Sequence, residues 1–176
     1  MFQIGDLVSY RAEGVCSIAD IRVERFGAIG GDMRYYILSP LRDRKSLVYV
    51  PVENPQLCGL MRPLLSAEEI SELLGELREE RMEWIPESRG RNVLYREILG
   101  RGDRRELIVL VNTVCQRTAE EREAGRRPTS TDENALRRAA ELLLDEFSVT
   151  CELNNEEELL LAIQGEIDLT QRVAYN

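Results

Sequence analysis

The feature of this sequence that most constrains its fold is a change of pattern near residue 62. Before that point, short runs rich in Val, Ile and Tyr alternate with clusters of turn residues, which is typical of β-strands. Such runs occur at residues 7–10, 15–23, 33–38 and 46–52. Several short strands with tight turns and no helix between them indicate a small β-barrel of the SH3 or Tudor type.

Two segments predict turns of this barrel. Gly27, Gly30, Gly31 and Asp32 separate the second run from the third, and residues 39–45 separate the third from the fourth. Both segments contain residue types that favour turns. Small closed barrels leave no deep cavity for chemistry, so they mostly bind other macromolecules, for which exposed strand edges are natural docking sites.

After residue 62 the apolar residues recur at intervals of three or four, as they do along one face of an α-helix. Because each such face needs a partner to cover it, the helices should pack into one compact bundle. Two glycines, Gly100 and Gly165, are predicted to end the second and the last helix. Five helices are predicted, starting at or just after Ser66, Ser88, Asp103, Ser130 and Asn154 or Asn155.

Side-chain caps support these starts. Ser66 with Glu69, and Ser130 with Glu133, have the spacing of a capping box. The predicted fold is therefore α+β in two parts. A small N-terminal barrel domain at residues 1–62 precedes an all-α domain at residues 63–176.

Composition argues against catalysis. The chain of 176 residues contains no histidine, and Lys45 is its only lysine. The usual general base near neutral pH and the Ser-His and Cys-His nucleophile pairs are therefore missing. The glycine-rich motifs that hold phosphates are also absent from the sequence. An enzyme that uses carboxylates such as Asp6 and Glu53 is the least favoured hypothesis, and no cofactor is predicted.

The remaining composition predicts a cytoplasmic protein without a metal site. The four cysteines are far apart and form no C-x-x-C pair. Without histidine a zinc site is not expected, and the thiols fit a reducing compartment. No stretch approaches the roughly 20 apolar residues that span a bilayer, so no membrane partner is predicted.

Charge is unevenly distributed along the chain. The net charge is −9, yet residues 84–139 contain 12 basic against 9 acidic residues. Two interpretations are open: a surface for nucleic acid, or a solvated helical surface of Arg–Glu pairs. The arginines are Arg89, Arg91, Arg96, Arg101, Arg104, Arg105, Arg117, Arg122, Arg126, Arg127, Arg137 and Arg138.

Several segments occur in an order and at a spacing shared with one family. They are Phe2–Tyr10, Gly14, Tyr35–Leu38, Val50–Asn54 and Gly59–Glu69, followed in the helical part by Gly102–Ile108 and Ala140–Phe147. This order resembles that of the CarD/CdnL bacterial transcription regulators. The N-terminal module of that family is shared with the RNA polymerase interaction region of the transcription-repair coupling factor.

The resemblance implies a transcription factor that is not an enzyme. The barrel would dock on the β subunit of bacterial RNA polymerase. The helical domain would lie on promoter DNA at the upstream edge of the transcription bubble and stabilise the open complex, with arginines contacting phosphates. The alternative is an interaction module that docks on the polymerase or another partner without touching DNA.

Candidate contacts follow for both partners. On the barrel, the polymerase-binding candidates are Arg22, Arg25, Tyr36 and Tyr49. In the helical domain, Arg89 and Arg96 are two helical turns apart on one face, whereas Arg91 should point elsewhere. The DNA-binding candidates are Arg89, Arg96, Arg101, Arg104, Arg105 and Trp84.

Trp84, the only tryptophan, has two interpretations. It precedes Ile85 and Pro86, and the proline is predicted to end the first helix of the bundle there. The indole either packs across the seam between the first two helices or forms an exposed wedge against a distorted base. Relatives that carry such a wedge align it with Ser88, one turn later, which favours the packing interpretation.

Overall fold

A computed structural model describes residues 1–26 and 31–174. The chain forms two compact units, Met1–Leu64 and Leu65–Asn176, each with its own hydrophobic core. The first unit is mainly β-sheet and the second is helical, which confirms the α+β class. Gly27 and Gly30 of the first predicted turn lie outside the described residues.

The N-terminal unit is built on a five-stranded antiparallel sheet. Its spatial order is β4-β3-β2-β1-β5, and no pairing joins β4 to β5 among the described residues. The sheet is therefore open, and the closed barrel is not confirmed. Its strands are β1 (Leu7–Tyr10), β2 (Val15–Glu24), β3 (Met33–Pro40), β4 (Val48–Pro51) and β5 (Met61–Pro63).

Two features of this unit were not predicted. β5 has only three residues and pairs with β1, with Met61 opposite Tyr10. A short helix, α1 (Pro55–Cys58), precedes it and is capped by the Asn54 side chain, which accepts from the backbone N–H of Leu57 at 3.0 Å. Both elements are too short to show a periodic pattern.

A register shift in β2 sets which residues face the core. The pairing of β2 with β3 shifts between Ile18 and Asp20, as in a β-bulge. Beyond the shift, Ile21 lies opposite Tyr36; Tyr36 belongs to the core, and the partly buried Ile21 packs against it. The neighbouring pair Arg22 and Tyr35 therefore lies on the opposite, outer face of the sheet.

The second unit contains the five predicted helices. They surround one continuous core that includes Leu74, Tyr95, Val111, Leu143 and Leu159. Their bounds are α2 (Ala67–Leu77), α3 (Ser88–Arg101), α4 (Arg104–Glu123), α5 (Ser130–Phe147) and α6 (Glu156–Gln164).

The caps confirm some predicted helix ends and correct others. Ser66 and Glu69 form the predicted capping box of α2, and Asp103 caps α4. α5 is capped by Thr129, not by Ser130, since the Thr129 hydroxyl accepts from the backbone N–H of Asp132 at 3.3 Å. α3 continues past Gly100 to Arg101, and the residue that caps its end is Gly102, whose positive φ of 60° suits glycine.

The first helix of the bundle is shorter than predicted. α2 ends at Leu77, so residues 78–87 form a non-helical connector that carries Trp84. Two side chains of α4 hold this connector. The Asn112 amide donates to the carbonyl of Leu77 at 2.9 Å, and the Thr113 hydroxyl accepts from the backbone N–H of Met82 at 3.0 Å.

Candidate functional sites

Three aromatic side chains cluster in the sheet unit. Phe26, Tyr35 and Tyr49 contact one another edge to face, with ring centroids 5.3 Å (Phe26–Tyr35), 5.1 Å (Phe26–Tyr49) and 6.2 Å (Tyr35–Tyr49) apart. Phe26 is 55% exposed, and the two tyrosines are half-buried. We call these three residues the aromatic cluster. It is an aromatic surface that remains accessible to solvent.

Arg22 lies beside this cluster, directly opposite Tyr35 in the β2–β3 pairing. Its guanidinium is held by the carboxylates of Glu24 at 2.6 Å and Asp20 at 3.1 Å. The hydrogen bond to Glu24, with help from Asp20, raises the pKa of Arg22. The side chain is half exposed, so these carboxylates orient it without burying it.

The predicted polymerase contacts do not form a single surface. Arg22 and Tyr49 lie on the outer face, and Arg25 is exposed next to Phe26 in the chain. Tyr36 is only 5% exposed and packs edge to face on Phe2, at 6.4 Å between centroids. Its side chain belongs to the core, because adjacent residues of a strand face opposite sides of the sheet.

The arginines where α3 ends and α4 begins are all paired with glutamates. We call this region the α3–α4 end. Arg101 forms two hydrogen bonds to Glu106, at 2.8 and 2.9 Å, and Arg105 forms two to Glu76, at 2.5 and 3.0 Å. These hydrogen bonds raise the pKa of each arginine. The positive charge of both arginines is therefore largely neutralised.

Arg104, also at the α3–α4 end, was predicted to contact DNA. It is instead 7% exposed, and its Nη1 lies 3.1 Å from Oε1 of Glu146 on α5. It is the first residue of α4, and its side chain reaches the C-terminal part of α5. This arginine joins two helices and is not presented to solvent.

The opposite end of the helical unit, where α4 ends and α5 begins, is organised around a buried ion pair. We call it the α4–α5 end. Arg91 of α3 donates twice to Asp132 of α5, both bonds being 2.8 Å long. It also donates to the carbonyls of Ile85 and Pro86 at 2.9 and 2.8 Å. Arg91 thus joins α3, α5 and the connector, consistent with the prediction that it points away from Arg89.

Both carboxylate oxygens of Asp132 accept hydrogen bonds. Tyr95 donates to it at 3.0 Å and Thr129 at 2.7 Å, in addition to Arg91. Burial disfavours its charged form, but the hydrogen bonds from Arg91, Thr129 and Tyr95 outweigh that effect and lower the pKa of Asp132. Burial, together with the nearby charge of Asp132, raises the pKa of Tyr95. The carboxylate therefore stays ionised in the interior.

Trp84 lies at the same end, between two guanidinium groups. Arg91 is 4.3 Å and Arg117 of α4 is 5.2 Å from the ring centroid. The indole is half-buried. It therefore contacts side chains of α3 and α4, not the seam between the first two helices of the bundle. Favourable contacts between a cation and an aromatic face hold it in place.

Exposed arginines without an ion-pair partner among the described residues also gather at the α4–α5 end. Two of them lie on the loop after α4. This loop is fixed by Gly125, whose φ is 71°, and by a 2.8 Å hydrogen bond from the Arg126 backbone N–H to the carbonyl of Glu121. A 3.1 Å hydrogen bond between Ser88 and Thr131 holds the start of α3 against the start of α5. We call these residues the arginine surface: Arg89, Arg122, Arg126 and Arg127.

Sequence reasoning placed only Arg89 of this surface among the DNA contacts. Arg96, the other predicted residue of that face, is exposed seven residues further along α3. Arg122, Arg126 and Arg127 were visible in the basic stretch. They could not be ranked above the arginines of the α3–α4 end without knowing which arginines are paired.

The described residues also bear on reactive thiols, metal sites and membrane-spanning helices. The four cysteines are free thiols, and burial raises the pKa of Cys58, Cys115 and Cys151, which lowers their reactivity. Between residues 1–26 and 31–174, no three His, Cys, Asp or Glu side chains are grouped as a metal site requires. No helix in these ranges has the length and apolar character needed to cross a bilayer.

A small sheet unit with a solvent-accessible aromatic face is typical of protein-interaction modules. Residues 2–65 match the family model of the CarD-like/TRCF RID domain. The N-terminal unit therefore belongs to the CarD-like/TRCF family of RNA polymerase interaction domains. No curated protein matches the chain.

Proposed function

We propose that this protein binds bacterial RNA polymerase through the outer face of its sheet and contacts promoter DNA through the α4–α5 end of its helical unit. In this role it stabilises the open promoter complex. The observation that carries the proposal is the match of residues 2–65 to an RNA polymerase interaction domain, on which an aromatic cluster faces solvent.

The aromatic cluster and Arg22 have the chemistry of a binding hot spot. Tyrosine and arginine are enriched at such positions because they provide large contact areas and directional hydrogen bonds. β4, which contains Tyr49, lies at one edge of the described sheet, and an extended segment of the partner can pair with it. The resemblance to CarD proteins makes the β subunit the proposed partner.

The arginine surface supports the proposed DNA contact. Its guanidinium groups are exposed and free of ion pairs in the described structure, so they can bind phosphates without first breaking an internal bond. Phosphate contacts position a protein without reading sequence, which leaves promoter choice to the polymerase. A factor that binds the opened promoter better than the closed one shifts that equilibrium by its difference in affinity.

The alternative is docking on the polymerase without any DNA contact. The net charge of −9 and the neutralised arginines of the α3–α4 end favour it. The two functions differ in one measurable property. Only the first predicts that loss of the arginine surface shortens the lifetime of the open complex while binding to the polymerase stays unchanged.

A pull-down of purified β subunit tests the polymerase contact. We expect replacement of Phe26 and Tyr49 by serine in the full chain to abolish retention of β. Val93→Ser, which alters a 56% exposed residue of α3, is the matched control and should retain it. A fragment of residues 1–64 should bind by itself. Retention by residues 65–176 but not by this fragment would reverse the assigned roles.

A further inference from the structure

The helical unit contains an apolar groove that neither proposed contact uses. It lies between α2, the connector, α3 and α4 and has a volume of about 450 Å³. This is within the roughly 300–1,000 Å³ typical of binding pockets. Its apolar lining consists of Leu77, Met82, Leu94, Ile98 and Val109.

The groove is held by a hydrogen-bonded frame. The bonds from Asn112 to the Leu77 carbonyl and from the Met82 N–H to Thr113 fix one wall against α4. Asn112 and Thr113 are themselves 7% and 3% exposed. Because these polar groups are buried and paired, moving the connector would break bonds that water does not replace. The groove is therefore preformed.

Its rim is acidic. Arg101 and Arg105 border it, but each is bound to a glutamate, as described above. Glu80 also borders it and lies near enough to Arg105 to raise the pKa of that arginine, which is already bound to Glu76, so the lining has three glutamates against two arginines. An adjoining depression of about 340 Å³ adds two exposed carboxylates, Glu69, which accepts the capping hydrogen bond from the Ser66 backbone N–H, and Glu72. The spacing of residues 69, 72 and 76 places three carboxylates along one face of α2, and Glu80 of the connector lines the same groove as Glu76.

We propose that this groove binds a basic amphipathic segment of a protein partner. Apolar side chains of the segment fill the groove, and lysine or arginine side chains on its flank face Glu69, Glu72 and Glu80. The apolar lining supplies affinity, and the excess of carboxylates selects positive charge and sets the orientation. The proposal is independent of the polymerase and DNA contacts, since it shares no residue with the aromatic cluster or the arginine surface.

Binding of a designed peptide to the full chain tests this proposal. The probe is a helix-forming peptide of leucine and lysine with leucines at positions i, i+3, i+4 and i+7, and its control is a scrambled peptide of the same composition. Fluorescence anisotropy with labelled peptide gives both affinities. We expect the ordered peptide to bind at least tenfold more tightly.

Two double variants and one single variant locate the site. Glu72→Gln with Glu80→Gln should weaken binding about three- to tenfold, since exposed charge pairs are individually weak. Glu152→Gln with Glu157→Gln removes the same charge from exposed positions elsewhere and should have no effect. Val109→Phe narrows the groove and should also weaken binding, with circular dichroism confirming an intact fold.

Two results would overturn the proposal. Equal binding of the scrambled peptide, with equal losses in both charge variants, would mean attraction to an acidic protein without a site. The second result combines two observations: Val109→Phe releases an apolar dye from the groove, and the chain binds the ordered and the scrambled peptide equally well. It would assign the groove to small apolar molecules.

Discussion

The two ends of the helical unit are both rich in arginine, yet they present opposite surfaces. At the α3–α4 end, Arg101 and Arg105 are held by exposed glutamates, and Arg104 is buried against Glu146. At the α4–α5 end, Arg91 is buried against Asp132, while the arginine surface is exposed without ion-pair partners among the described residues. Density of arginine in the sequence therefore does not indicate where positive charge is accessible.

The difference also separates three uses of the same side chain. A buried arginine with two hydrogen bonds to a carboxylate joins helices, and the loss of its partner leaves an uncompensated charge in the interior. An exposed arginine bound to a glutamate contributes little to stability. An exposed arginine without a partner contributes chiefly to the electrostatic field. Substitutions at the three kinds of arginine, or at their partners, should therefore have different effects.

The largest effect is expected from the buried pair. Asp132→Ala leaves the Arg91 charge unpaired in the interior and should lower the free energy of unfolding by about 3–5 kcal/mol. Glu106→Ala at the other end breaks an exposed pair and should cost about 0–1 kcal/mol. Urea unfolding of the full chain, followed by helical circular dichroism, measures both. Similar values for the two variants would remove the distinction between the ends.

The pH dependence of stability sharpens the same comparison. The pKa of Asp132 is lower in the folded protein than the value of about 3.9 for an unfolded chain. Its contribution to stability is therefore complete above that value and is lost as the pH falls through the folded pKa. We expect the stability difference between the wild type and Asp132→Ala to shrink below about pH 4. A difference that is constant down to pH 2 would contradict this.

An intermediate effect is expected at Trp84. Trp84→Ala removes a half-buried indole and its contacts with Arg91 and Arg117, so it should cost about 1–3 kcal/mol, less than for a fully buried tryptophan. If packing is its role, open-complex lifetime at a temperature where the variant is folded should be nearly normal. Unchanged stability with a lost effect on the open complex would instead establish the wedge. Thermal unfolding and promoter-complex lifetime together distinguish the two.

The smallest effect on stability, and the most specific one on DNA, is expected at the exposed arginines. Arg89→Gln with Arg127→Gln should lower the slope of log affinity against log salt by about 2, because each phosphate contact contributes about 0.9. Unrelated promoters should be affected alike. Arg101→Gln with Arg105→Gln is the control at the other end and should leave the slope unchanged. The assay is binding of promoter DNA by the polymerase complex at several salt concentrations.

Local patterns predicted much of the fold. Four strands and five helices follow from alternation, periodicity and capping residues, all of which act over a few positions. The cap of α5 was misplaced by one residue because Thr129 and Ser130 are adjacent and both carry hydroxyls. The end of α3 was misplaced because Gly100 and Gly102 are both glycines, and only the second adopts a positive φ.

The candidate sites were less predictable because they depend on distant partners. Tyr35 and Tyr36 are adjacent, so one must face the core, but only the pairing of β2 with β3 decides which. Arg91 and Asp132 are 41 residues apart, and Arg105 and Glu76 are 29 apart. Whether an arginine is buried, neutralised or exposed is set by such tertiary contacts.

The position of Trp84 makes the protein its own optical probe. It is the only tryptophan, and it lies between two guanidinium groups beside the surface proposed to meet DNA. Its emission should respond when a phosphate bound at the neighbouring arginine surface changes the charge and polarity around the indole. The sheet unit has no tryptophan, so docking of the polymerase on its outer face involves no tryptophan of this chain. Among the chromophores of this chain, fluorescence excited at the red edge of tryptophan absorption should therefore report the helical unit alone.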